Sequence, residues 1–125
     1  MKPSILSYSL VCAISFGAAA RAETIGILQA STTDPFQKIV YNSALDLAGD
    51  ATVTTLVAEG DPDLQVNQLS ELIAQGVDAV VAIPTTAESV GKMSDLAAQA
   101  GTPLVFVNQG PKDPSALPDG QSYVG

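Results

Sequence analysis

Four short apolar runs recur along the chain, and the segments between them carry helical periodicity. TIGILQA from Thr24, TVTTLVA from Thr52, DAVVAIP from Asp78 and PLVFVN from Pro103 each read as a strand, and their separations are too long for hairpins. Between them apolar residues repeat at helical spacing: Val40, Ala44 and Leu47, then Val66, Leu69 and Ile73, then Val90, Met93, Ala97 and Ala100. Strand and helix in alternation predict consecutive βαβ units, hence a doubly wound α/β parallel sheet covered on both faces. The near-continuous apolar character of the runs agrees with strands buried on both sides.

The helix boundaries are marked by local chemistry. Asp34-Pro35 supplies an N-cap followed by proline at the first helical position, Gln37 completes a capping-box pattern, and Gly49 stops the helix. Asp61-Pro62 repeats the signal, with Gly76 placed for a left-handed C-terminal cap. Thr85 with Glu88 reads as a third capping box, ended by Gly101 and Pro103. A polar connection from Gln109 to Gly120 then leads into QSYVG, the start of a fifth strand.

The first 22 residues fall outside this rhythm. Lys2 gives a positive start, Ile5 to Ala20 is apolar and small, and Ala20-Arg21-Ala22 places small residues around a variable one. That is the pattern of a secretory signal cleaved after Ala22. A membrane anchor is the rival, but Ser7, Ser9, Ser15 and Gly17 interrupt a stretch shorter than the roughly 20 residues of a spanning helix. Lipidation at Cys12 is disfavoured by bulky Val11 before it.

Composition narrows the chemistry. The chain has no His, and its one Cys lies in the leader, so Ser-His-Asp and Cys-His relays, His-ligated metals and a thiolate nucleophile are excluded from residues 23–125. Beyond the leader Lys38, Lys92 and Lys112 face thirteen acidic side chains. Nucleic acid and anionic membrane would be repelled. With 46% hydrophobic and only 14% charged residues the chain is too apolar for an acidic disordered tail.

In open parallel sheets ligands bind beyond the carboxyl ends of the strands. Four segments qualify: Ser31 to Phe36, Glu59 to Asp63, Pro84 to Thr86 and Asn108 to Gly110. The first strand is not followed by Gly-x-Gly-x-x-Gly, and the chain has no Gly-x-x-x-x-Gly-Lys-Ser/Thr, so a phosphate cradle is missing. The third strand does not end in the acid a phospho-acceptor domain would require. What remains is a set of amides, hydroxyls, a carboxylate and one aromatic ring, which suits a neutral polyhydroxylated ligand. Asp34 is open to two readings, helix cap alone or cap with ligand contact. Phe36 is open to a core or an outward role, and Asn108 is open to a simple strand-end role or a ligand contact. The acid pair Asp61 and Asp63 keeps a small secreted hydrolase open as an alternative, and an interaction module using the same edge is another.

From Thr24 onward the sequence resembles the N-terminal lobe of type I periplasmic sugar-binding proteins, the ribose- and galactose/glucose-binding proteins of bacterial ABC importers. The resemblance is carried by TIGILQASTTDPFQKIV, by GDPDLQVNQLSELIAQGVDAVVAIPTT, by TPLVFVNQGP and by the closing YVG. It implies a single lobe with strand order 2-1-3-4-5, no catalysis, no cofactor and no metal. Its partners would be a monosaccharide or related polyol, ABC permease subunits in the inner membrane and in some cases a chemoreceptor, with a periplasmic location. The family's acid-x-Phe after strand one falls on Asp34 and Phe36, and its polar residue closing strand four falls on Asn108. In the galactose/glucose branch the acid accepts from sugar hydroxyls and the ring stacks on the sugar, whereas the ribose branch has an amide at the acid's position. That leans the expectation toward a hexose. Gln109 is a further candidate contact, but it departs from the basic residue often found beside the strand-four position. Family members run to more than twice this length and hold their sugar between two lobes, so the expectation is that residues 23–125 are the first lobe of a truncated sequence.

Overall fold

The computed structural model describes residues 21–125. The apolar stretch of the expected leader, with Cys12, lies outside the described residues. The element order is β1 (Thr24–Gln29), α1 (Pro35–Ala48), β2 (Thr52–Val57), α2 (Pro62–Gln75), β3 (Ala79–Ala82), α3 (Ala87–Ala100), β4 (Leu104–Val107), a 3-10 turn (Pro114–Ala116) and β5 (Gln121–Val124). All pairings are parallel, in the order β2-β1-β3-β4-β5. The chain steps one way from β1 to β2 and then back past β1 to β3. Right-handed crossovers therefore send α1 to one face and α2 and α3 to the other.

Strand periodicity sorts the side chains accordingly. Leu28, Val80, Ala82, Leu104 and Phe106 point into a core with Leu69 and Leu72 of α2 and Val90, Met93 and Ala97 of α3, all essentially buried. Gly26 belongs to this side, where a Cβ would lie 2.6 Å from Leu72 Cδ1. The alternate residues Ile25, Ile27 and Val81 face α1. On this second face α1 is the one helix, because the crossovers through α2 and α3 and the β4–β5 connection, whose Leu117 packs on the core, lie on the other, and an apolar depression of about 250 Å³ opens between Ile25, Ile27, Val53, Val81 and the helix. Leu47, expected in the buried stripe of α1, is 87% exposed.

The caps fall close to expectation. Asp34 Oδ1 accepts from the Phe36 and Gln37 amides at 2.8 and 3.4 Å, and Asp61 Oδ1 accepts from Asp63 and Leu64 at 2.9 and 3.0 Å. Gly76 adopts φ 78°, the left-handed conformation a C-terminal cap requires. The third cap is shifted by one residue. Thr86, not Thr85, caps α3, its hydroxyl accepting from Ser89 N at 3.3 Å, and Glu88 is exposed. Thr85 is diverted because its amide is taken by Gln65 of the neighbouring helix.

At the amino edge of the sheet Asp78 accepts from Thr24 N at 2.7 Å and Thr24 Oγ1 at 3.0 Å, and it pairs with Arg21. The Thr24 amide is the main cause holding this carboxyl below its usual 3.8, with the Thr24 hydroxyl next. A depressed acid stabilises the fold above its unfolded pKa and ceases to do so as the pH falls through the folded value. Acid titration of Asp78→Asn should therefore lack a small stability loss that the parent shows below pH 3.8; identical acid limbs would refute the contribution.

Candidate functional site

Because every strand is parallel, all carboxyl ends emerge on one edge, and the loops after β1 and β4 share it. Asp34 opens α1 on the first of these loops. Its Oδ1 is committed to the cap, while Oδ2 meets only Gln37 Nε2, at 3.4 Å. A carboxylate has about four acceptor positions, so Oδ2 retains capacity for a ligand hydroxyl. Cap and contact are compatible. Phe36, in the first turn, is 49% exposed with its ring at the same edge, which settles its orientation in favour of solvent and against the core.

Asn108 directly follows β4 and carries φ 70°. Its neighbours close a three-residue turn around it, Gln109 N donating to Val107 O at 2.9 Å. Non-glycine residues occupy this region at a cost of about 1–3 kcal/mol, and Asn tolerates it better than most. The turn is held from both sides: Asn108 N donates to Val124 O at 2.9 Å and Tyr123 Oη donates to Asn108 O at 3.2 Å. Gln109 is half-buried and contributes its amide to the turn. Gly110 completes the arrangement by lying against the Tyr123 ring, where a Cβ would fall 2.3 Å from Cδ2. Gly110→Ala must push this ring away from Asn108, an overpacking that should cost about 1–3 kcal/mol in urea unfolding. Unchanged stability would show that the ring is free to move.

Asp34 and Phe36 thus stand on one side of β3's carboxyl end and Asn108 and Gln109 on the other, two strands apart in the sheet. The candidate segment Glu59 to Asp63 takes part through a tie that the sequence does not announce. Glu59 has φ 48°, and its Oε1 accepts from Thr32 Oγ1 at 2.8 Å, tying the loop after β2 to the loop that carries Asp34. Only the adjacent Gly60 hints at such a turn in the sequence. A depression of about 280 Å³ lies farther along the same carboxyl edge, between the first turns of α2 and α3, lined by Asp63, Thr86, Glu88, Ser89 and Lys92. None of the four candidate residues reaches it. Asp63 faces Lys92 there at 3.5 Å and Asp61 is occupied as a cap, so the two acids do not form a facing carboxylate pair.

A parallel sheet in this order, with helices on both faces, defines an α/β domain, and comparison with known proteins gives its family. A family model described as "Periplasmic binding protein domain" matches residues 25–125. The chain is 36% identical over 118 residues to the "Putative rhizopine-binding protein" of Rhizobium meliloti, covering 92% of this chain and 38% of the relative. Among solved structures, an ABC transporter solute binding protein from Mycobacterium smegmatis with bound glycerol superposes with TM-score 0.70 at 27% identity, covering 84% of this chain and 35% of that one. A periplasmic ribose ABC transporter protein from Conexibacter woesei shares the fold with TM-score 0.72 at 21% identity, over 87% and 36% of the two chains. The chain belongs to the periplasmic binding protein domain family. It spans little more than a third of the relatives it matches.

Proposed function

We propose that this chain is the N-terminal lobe of the substrate-binding component of an ABC-type sugar importer. It supplies one edge of an interlobe cleft that takes a neutral monosaccharide or polyol, a hexose ahead of a pentose. The observation that carries this reading is the gathering of Asp34, Phe36 and Asn108 at the carboxyl edge of a family-matched sheet. Asp34 Oδ2 accepts from ligand hydroxyls, the exposed Phe36 ring packs on the apolar C–H face, and Asn108 adds a directional polar group, with Gln109 beside it. The glycerol bound by the Mycobacterium smegmatis protein supports a polyhydroxylated ligand. The preference for a hexose rests on the carboxylate at position 34 alone.

Nothing in this mechanism is catalytic. Binding energy drives closure, because a ligand that touches both lobes stabilises the closed state by its differential affinity for it. The closed form is then the species that permease subunits, and in some systems a chemoreceptor, recognise. The division is a leader over residues 1–22 and a periplasmic lobe over 23–125. Mass spectrometry of the exported product should find Glu23 at its start, since Ala20 and Ala22 present the small side chains a signal peptidase accepts. An intact Met1 on a cytosolic protein would overturn both the location and the transport reading. Calorimetry on the full-length gene product, with hexoses, pentoses and polyols in turn, tests the ligand class; absence of binding to every one of them would refute it.

A further inference from the structure

Besides Gln29 of β1, three glutamines on helices are buried: Gln37 is 7% exposed, Gln65 0% and Gln68 9%. Each reaches a strand's carboxyl end. We propose that two of them, Gln37 and Gln65, are positioning residues, amide clamps that hold the loops after β1 and β3 at the ligand-binding edge. The ligand-binding part of this proposal rests on the reading of Asp34 given above.

Where β1 ends, the Ala30 and Ser31 amides need a partner. Gln37 Oε1 accepts from both, at 3.0 Å each. Ala30 is buried, and an N–H left unpaired there would be costly. The same side chain extends Nε2 to Asp34 Oδ2 at 3.4 Å. One planar group therefore spans the strand end and the candidate ligand carboxylate, and fixes the carboxylate relative to the sheet.

Gln65 performs the equivalent task from outside the loop it holds. It sits on α2, yet its Nε2 donates to Ile83 O at 2.9 Å and its Oε1 accepts from Thr85 N at 2.9 Å. These two groups flank Pro84, which has no N–H of its own, so both ends of the arch are pinned. The task needs a donor and an acceptor on one rigid group, which an amide has and neither a carboxylate nor a thioether provides. Gln68 marks the contrast. Its Nε2 donates to Val57 O at 2.8 Å while Oε1 has no partner, so it fixes the end of β2 without gripping a loop.

Amide hydrogen exchange on the full-length gene product, without ligand, reads the clamps directly. Gln37→Met should speed exchange at Ala30 and Ser31, and Gln65→Met at Thr85, by roughly ten-fold. Leu69, Leu72 and Ile73 inside α2 should be unaffected. In the unsubstituted protein the Ala30, Ser31 and Thr85 amides should already exchange slowly, as pinned amides do, which also decides the matter if a methionine variant fails to fold. Unchanged exchange in the methionine variants, or a uniform rise at every amide, would overturn the proposal. So would fast exchange at those amides in the unsubstituted protein. Ligand affinity of the full-length Gln37→Met protein separates the two readings: a several-fold loss supports positioning of Asp34, whereas local exchange as expected with affinity unmoved overturns the positioning of Asp34 by Gln37 and leaves Asp34 as a contact to be decided by Asp34→Ser.

Discussion

In the full-length gene product, Asp34→Ala and Asn108→Ala each weaken monosaccharide or polyol binding by roughly five- to 150-fold, because a buried hydroxyl left unpaired costs about 1–3 kcal/mol. The same substitutions in residues 23–125 alone have almost nothing to weaken. An open edge leaves one side of the sugar hydrated, so each contact exchanges one hydrogen bond for another made to water, with little net gain. Closure alters this balance by excluding water from both partners. Asp34 needs a control, since alanine also removes the helix cap at about 1 kcal/mol. Asp34→Ser preserves a capping oxygen while withdrawing Oδ2, so it should retain thermal stability and still lose affinity. Calorimetry on both lengths of protein makes the comparison. Full-length binding indifferent to Asp34→Ser and Asn108→Ala, or tight binding by the isolated lobe, would place the ligand elsewhere.

The fold was legible because its signals are local and repeated. Asp-Pro at positions 34 and 61 identifies two helix starts through the same physics, an oxygen accepting orphan amides followed by a ring that needs no amide of its own. Once the strands are taken as parallel, Asp34 and Asn108 must share an edge, and no side-chain detail is required. The sequence reading erred where one element intervenes in another. At α3 two adjacent threonines compete for the cap, and the choice of Thr86 follows from Gln65 holding the Thr85 amide, a contact across 20 positions. The buried stripe of α2 likewise contains Gln65 and Gln68 between apolar positions, because the sheet beneath its first turns offers unpaired strand ends instead of methyl groups. A hydrophobic pattern cannot register that demand.

Backbone strain was equally invisible. Asn108 and Glu59 take positive φ, yet neither letter announces it, and their side of the edge is held by partners distant in the chain: Val124 and Tyr123 for Asn108, and Thr32 of another loop for Glu59. Both sit on the loops of the candidate edge, where over-determined conformations present a side chain at a defined angle. Geometry at this edge is therefore set mainly by residues that do not themselves face the ligand.

Residues 23–125 produced alone should self-associate, and Leu47→Lys should return them toward monomer. The face of the sheet under α1 leaves Ile25, Ile27, Val53 and Val81 around an apolar depression of about 250 Å³, and Leu47 on its rim is 87% exposed. An apolar surface of this kind on a soluble protein marks a contact surface. Exposure of Leu47 is also the point at which the helical pattern and the structure part: the residue has the spacing of a buried position, yet it stands open to solvent among the described residues. Burying a leucine side chain contributes about 1.5–3 kcal/mol, so replacing it with lysine should weaken association by roughly ten- to 100-fold. The added charge stays in solvent, leaving the fold intact. Sedimentation equilibrium measures the shift. A monomeric parent at high concentration, or association untouched by Leu47→Lys, would mean that the lobe hides this face by some other rearrangement.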